Sequence, residues 1–304
     1  MATAFNSPRL QGNLLAMLSM LLWATGFPIT DALLNTWDPL SLAMVRLSGA
    51  GLVLALLVMI RMRSCTWQNW PLKDALLSGA LGIGIGTALM NFGMRYSNPI
   101  NIAVIATTVP VVSIIMGVLR GEERVTLKIA IAICLSLAGG VLVSASSLQT
   151  QAGFEGGELL MITAVILWTW YSRVSVTRLL VIPALPRVML GMIAGGMALL
   201  PIIAIAHWGG LAALSFSATS TDLLLIAWLC VFAVGTGMVY WMMSAERIGV
   251  TVAAIHINVV PFYVLILMLL FGGSLLLAQV AGAMLVATGV VIAQVAGSSK
   301  PSRA

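Results

Sequence analysis

Ala253-Ala254-Ile255-His256-Ile257-Asn258-Val259-Val260-Pro261 stands inside an apolar run at 249–271. An earlier run at 100–119 carries the same design, Ala103-Val104-Ile105-Ala106-Thr107-Thr108-Val109-Pro110. A shift of 151 positions lays Ala103 on Ala254, Thr107 on Asn258 and Pro110 on Pro261. Each run is long enough to cross a bilayer as helix, with a proline near its middle and a polar residue three positions before it. Proline has no N–H and clashes with the carbonyl four residues back, so it loosens the helix there. The carbonyls of Ala106 and Ile257 lose their partners, and in lipid a freed carbonyl needs a new partner or a water-filled cavity. One such break in each half of the chain points to a midplane binding site between two repeats.

Composition agrees with a membrane setting. Of 304 residues, 61% are hydrophobic and 8% charged. A soluble globular domain carries about a quarter charged residues. Ten charge-poor runs follow one another, at 12–31, 40–60, 74–94, 99–119, 127–147, 157–175, 187–206, 222–244, 249–271 and 277–296. The net charge of +6 is topological rather than a nucleic-acid signal. With the N-terminus inside, the inside segments hold 13 of the 15 Lys and Arg residues; Arg95 lies outside and Arg46 within a span. The positive-inside rule then puts both termini in the cytoplasm. The first apolar run has one basic residue before it, no clear cleavage site and a later counterpart, so it reads as mature structure rather than a signal peptide. The three cysteines form no pattern and read as reduced and inert.

The duplication extends beyond the proline helices. A shift of 145 lays Gly12, Leu14, Leu15, Leu22 and Trp23 on identical residues at 157–168. Span 1 thus pairs with span 6 and span 4 with span 9. Five spans per half is an odd number, so the second half enters the membrane from the opposite side. The expected fold is an all-α integral membrane protein: ten transmembrane helices, as two inverted five-helix repeats around a central cavity. Its expected divisions are a cytoplasmic segment at 1–11, the first repeat at 12–147, an external join at 148–156, the second repeat at 157–296 and a cytoplasmic tail at 297–304.

Polar and aromatic residues inside spans are the candidates for chemistry. Thr87, Asn91 and Arg95 lie on one face of span 3, and Thr236, Tyr240 and Ser244 on one face of span 8. Such stripes face the bundle or a cavity. His256 and Asn258 are about 200° apart on a regular helix, so both can face one cavity only if Pro261 distorts the backbone. Asn258 has the repeat partner Thr107, and His256 is one of two histidines, a side chain able to exchange protons near neutral pH. Trp23 and Trp168 are matched by the repeat, and Trp170, Tyr171 and Trp241 also lie away from most span ends; aromatic walls suit apolar or cationic solutes. The substrate-contacting set is therefore Trp23, Asn91, Thr107, Trp168, Trp170, Tyr240, Trp241, His256 and Asn258, with Pro110 and Pro261 as hinges. Arg46 within span 2 reads as structural, with Asp38, carbonyls or a lipid headgroup as its partner. Glu122 and Glu123, beside Arg120 and Arg124, read as a solvated ion cluster at the inside surface, or as a gate against moving helices. The glycines at 79, 82, 84 and 86 read as packing surfaces.

The order of these features resembles the EamA family of the drug/metabolite transporter superfamily. The matching motifs are Leu22-Trp23-Ala24-Thr25-Gly26-Phe27-Pro28, Arg46, Pro110 and Gly121-Glu122-Glu123-Arg124-Val125-Thr126, with Trp168, Pro261 and Gly282…Gly289 in the second copy. The second copy departs from the family pattern at Phe271-Gly272-Gly273-Ser274, where the family often has an acid. The resemblance implies ten helices in inverted repeats, a cavity lined mainly by spans 1, 3, 4, 6, 8 and 9, and export of small metabolites or amino acids by alternating access. The tryptophans are similar in placement to those of YddG-type amino-acid exporters. The competing readings are a proton-coupled exporter of drugs, nucleosides or cationic compounds, a passive channel, and a polytopic membrane enzyme. The last lacks a His-Glu-x-x-His, paired intramembrane aspartates or a Ser/His pair, and there is no ATP-binding motif. No acid lies at the middle of a span, which favours a facilitator or exchanger over strict proton antiport. No cofactor or metal is expected. The expected partners are a small-molecule substrate and the lipid bilayer, with no nucleic acid, in a monomer or, alternatively, a dimer.

Overall fold

A computed structural model describes residues 7–62, 67–96, 105–146, 156–209, 215–260, 262–263 and 277–296. Ten helical segments follow in order: α1 Pro8–Leu34, α2 Pro39–Arg61, α3 Leu72–Arg95, α4 Val109–Leu119, α5 Leu127–Ser146, α6 Gly157–Thr177, α7 Ala184–Trp208, α8 Ser220–Ile248, α9 Val250–Val259 and α10 Leu277–Ala296. The chain is an all-α membrane protein with the ten-helix, two-repeat architecture. Among the described residues, six helices (α1, α2, α3, α6, α7 and α8) are long and apolar enough to cross a bilayer unaided. Leu52, Met59 and Leu224 stand exposed on the outer surface, where lipid replaces water as the neighbour.

Local chemistry sets the helix starts. Asp38 Oδ1 accepts from the N–H groups of Leu40 and Ser41, each at 3.0 Å, and Pro39 occupies the first turn. Ser7 caps α1 at Leu10 N, and Thr219 caps α8 at Asp222 N. These caps satisfy N–H groups that have no partner inside their own helix.

The packing obeys an approximate two-fold relation between the halves. Helix α1 packs on the end of α8 as α6 packs on the end of α3. Likewise α2 meets α8 as α7 meets α3, while α2–α7, α4–α9 and α5–α10 are pairs of equivalent helices. Small residues permit the closest crossings. A Cβ on Gly139 would come within 2.5 Å of Gly282 O, and one on Gly79 within 2.6 Å of Gly191 Cα. Helices α3 and α8 each contain a π-helical stretch at matched places, Gly79–Ile85 and Leu229–Thr236.

The expectation of two continuous helices kinked at proline is corrected. A turn at Thr107 and Thr108 precedes α4, with Thr108 N and Oγ1 both donating to Ile105 O. Helix α4 then begins at Val109, which puts Pro110 in its first turn. There the missing N–H costs nothing, because first-turn donors lack intrahelical partners. In α9 the α-helix stops at Ile255 and His256–Val259 continue as a 3₁₀ turn. The breaks therefore lie at Thr107 and Asn258, as the repeat requires. Pro261, Gly272 and the join at 148–155 lie outside the described residues.

Candidate substrate cavity and end latch

Two tryptophans related by the repeat face each other at the centre. Trp23 of α1 and Trp168 of α6 are stacked, ring centroids 6.4 Å apart and planes 9° from parallel. Trp241 of α8 closes on Trp168 at 4.7 Å, and its Nε1 donates to Ser172 Oγ at 3.1 Å. Phe27 meets the edge of Trp23 at 4.9 Å. The three tryptophans wall a cavity with an empty volume of ≈ 820 Å³, including the part open to solvent. Five methionines complete much of the wall: Met20, Met90, Met161, Met192 and Met238. Thioethers are polarizable and adapt to differently shaped partners. A smaller space, lined partly by Phe27, Thr30 and Met94, continues the cavity toward the end of the bundle where α1 and α3 finish.

Arg46 is the only charged side chain among the described residues lining either space. Its Nη1 donates to Thr30 Oγ1 at 3.3 Å and to Asn91 Oδ1 at 3.5 Å. Asp38, one of its three candidate partners, instead spends Oδ1 on the α2 cap. The lining role expected of several other residues is corrected as well. Asn91 is buried behind Arg46, its Nδ2 donating to Pro39 O at 3.0 Å. Trp170 packs with Ala75, Leu179 and Ile182 on another face of α6, because two residues along an α-helix turn it by about 200°. Tyr240 is half-buried and does not line the cavity, although its neighbour Trp241 does. Thr107 is buried in the turn before α4, where Ala106 faces the cavity in its place. His256 and Asn258 are buried in the 3₁₀ turn outside the lining. His256 Nδ1 lies 3.1 Å from Val252 O, while neither polar atom of the Asn258 side chain has a partner among the described residues.

Toward the N-terminal end of α1 the bundle is held by charges. Helix α4 ends in a Schellman motif: Gly121 has φ 68°, Glu122 N donates to Gly117 O at 2.8 Å and Gly121 N to Val118 O at 2.9 Å. The left-handed residue suits glycine. The turn folds Glu122 and Glu123 back over Gly117, onto Arg173 of α6. Arg173 Nη1 meets Glu122 at 2.9 Å and Nη2 meets Glu123 at 2.8 Å. Thr251 of α9 receives from Arg173 Nη2 at 3.0 Å and donates to Glu123 at 2.8 Å, with Ser113 of α4 at 2.9 Å from Thr251. Arg120 is only a distant contributor, at 4.0 Å from Glu122. The acids thus tie α4, α6 and α9 together rather than forming a solvated surface cluster. A second tie joins Arg187 of α7 to Glu246 of α8 and to the Ser175 carbonyl. Arg173 is five residues beyond Trp168, about 7.5 Å along the helix.

The sequence profile described as the EamA-like transporter family matches this chain twice, over residues 10–145 and 155–294. Among similar proteins is "Uncharacterized transporter YyaM" of Bacillus subtilis strain 168, 24% identical over 233 residues, covering 72% of each chain. Another is "Uncharacterized inner membrane transporter YedA" of Escherichia coli K12, 25% identical over 153 residues, covering 50% of this chain and 49% of that one. A solved structure titled "Crystal structure of protein" shares the fold at a TM-score of 0.76 with 18% identity, covering 97% of this chain and 100% of the other.

Proposed function

The chain belongs to the EamA-like transporter family, and on that premise we propose that it exports amino acids, aromatic and other hydrophobic ones among them, by alternating access as a facilitator or exchanger. The observation that carries this reading is the Trp23–Trp168–Trp241 box in a methionine-lined cavity, continued toward one end and latched at the other. Flat rings offer large, rigid contact area to apolar side chains, and the methionines let one cavity accept several of them. The positive-inside rule assigns the latch to the cytoplasmic face, and the smaller space that continues the cavity lies toward the opposite end, which supports an outward-facing reading. The turn at Thr107–Thr108 and the 3₁₀ turn at His256–Val259 serve as paired pivots. Each lies where a helix lacks part of its own hydrogen-bond ladder, and α4 and α9 run in opposite directions. No acid lines the cavity among the described residues, which supports exchange without obligatory proton coupling.

The test is counterflow in proteoliposomes. Vesicles loaded with an unlabelled amino-acid panel are given trace labelled L-tryptophan, with and without a pH gradient. Saturable accumulation against the loaded panel, unchanged when the gradient is collapsed, is the expected result. Flux that never shows counterflow indicates a channel, and flux that vanishes with the gradient indicates proton antiport.

A further inference from the structure

Three buried arginines differ in one respect. Arg173 and Arg187 each hold a carboxylate of this chain. Arg46 is buried to the same degree, yet no described carboxylate pairs with it. Its guanidinium carries N–H donors on three nitrogens. Among the described residues only Nη1 is engaged, by two neutral oxygens at 3.3 and 3.5 Å. Nε is buried without a partner, and no described residue accepts from Nη2. An unpaired buried cation is costly, and the cost is relieved when an anion arrives with matching geometry. The bond from Asn91 Nδ2 to Pro39 O turns the Asn91 Oδ1 toward Arg46, which positions the guanidinium rather than neutralising it.

We infer that Arg46 is the carboxylate anchor for solutes in this cavity, which therefore selects amphipathic monocarboxylates and disfavours amines that lack the acid. This rests on the reading that the tryptophan-walled cavity is the transport site. A carboxylate accepts two parallel N–H bonds from a guanidinium, a fit that a lone hydroxyl or amide cannot copy. The apolar remainder of the solute then lies against Trp23, Trp168 and Trp241, which line the same cavity as Arg46. Tryptophan faces alone attract cations, but a fixed guanidinium in a poorly solvated cavity repels them. One cationic group among the lining residues matches one negative charge.

The experiment uses the full-length protein in proteoliposomes of neutral lipid, with counterflow of labelled L-tryptophan as the signal. Indole-3-propionate keeps the acid and lacks the amine, while tryptamine keeps the amine and lacks the acid. In the wild type, indole-3-propionate should inhibit at least about tenfold more strongly than tryptamine, the lower end expected for a hydrogen bond to a charged group. Arg46→Gln should erase that preference, and Arg46→Lys should retain part of it. Equal inhibition by the two probes in the wild type, or an acid preference that survives Arg46→Gln, overturns the anchor while leaving the transport reading intact. Absence of any counterflow in the wild type overturns the transport reading and the anchor together. If Arg46→Gln does not fold, the wild-type ratio of the two probes decides alone.

Discussion

Gly117 is where the latch depends on a missing side chain. A Cβ there would stand 2.6 Å from Arg173 Nη2 and 2.9 Å from the Glu123 carboxyl carbon. Gly117→Ala should displace one arm of the Arg173–Glu123 pair, a loss of about 1–2 kcal/mol for hydrogen bonds to a charged group half-open to solvent. That corresponds to roughly a tenfold shift between access states, read as faster labelling of a cysteine placed at Val252. No change in labelling would leave the charge cluster as mere fastening. At the cavity, Trp168 touches both other rings, so Trp168→Ala should weaken apparent tryptophan affinity by up to about tenfold, the scale of an aromatic pair. Loss of rate at saturating tryptophan with unchanged affinity would contradict a contact role. Trp23 and Trp168 were legible in the sequence because the repeat aligns them. Arg173 was hidden: it reads as one more basic residue near an inside loop, and its partners lie 50, 51 and 78 positions away. Asn91 shows the opposite failure, because a buried polar residue can serve a neighbouring arginine as readily as a solute.

Among the elements, α4 and α9 teach the most. The sequence motif located both breaks, at Thr107 and at Asn258, but not their form. Proline marks where a helix is interrupted, and a turn followed by a fresh helix start satisfies that as well as a kink does. The consequence differs. At the first turn of α4, Pro110 replaces no interior hydrogen bond, so Pro110→Ala should restore none. Its initial counterflow rate should stay within about twofold of wild type, in line with the small stability effects of proline changes at compatible positions. A tenfold loss would show that the ring itself stiffens the pivot. The π-helical stretches of α3 and α8 could not be read from sequence. A π turn arises when one extra residue is accommodated within a helix, and the glycine-rich stretch of α3 reads equally well as ordinary packing.

At the scale of the molecule, the two-fold relation holds for the helices and the central tryptophans but not for the charges. The acids that grip Arg173 belong to Gly121-Glu122-Glu123 of the first copy, and the matching stretch of the second copy reads Gly272-Gly273-Ser274. The second copy's sequence carries no carboxylates at the positions that match Glu122 and Glu123, so it cannot supply an ionic lock of this design from them. Two ends closed by unequal interactions give unequal populations of the two access states, even in a symmetric helical frame. The resting protein should favour the state with the Glu122–Glu123–Arg173 latch closed and the Thr30–Met94 side accessible. Glu122→Gln with Glu123→Gln keeps the shape and removes both charges. Because the acids are partly exposed, the expected effect is a partial shift rather than full inversion. Labelling of a cysteine at Val252 should quicken and labelling of one at Met94 should slow to a lesser degree, so that the ratio of the two rates changes by about tenfold for a shift near 1.4 kcal/mol. Raised salt should move the wild type the same way only weakly, since Arg173 itself is buried and screened little. Equal labelling of both sites in the wild type, unaltered by the double substitution, would mean that packing at the helix crossings, not the charge cluster, sets which end is shut.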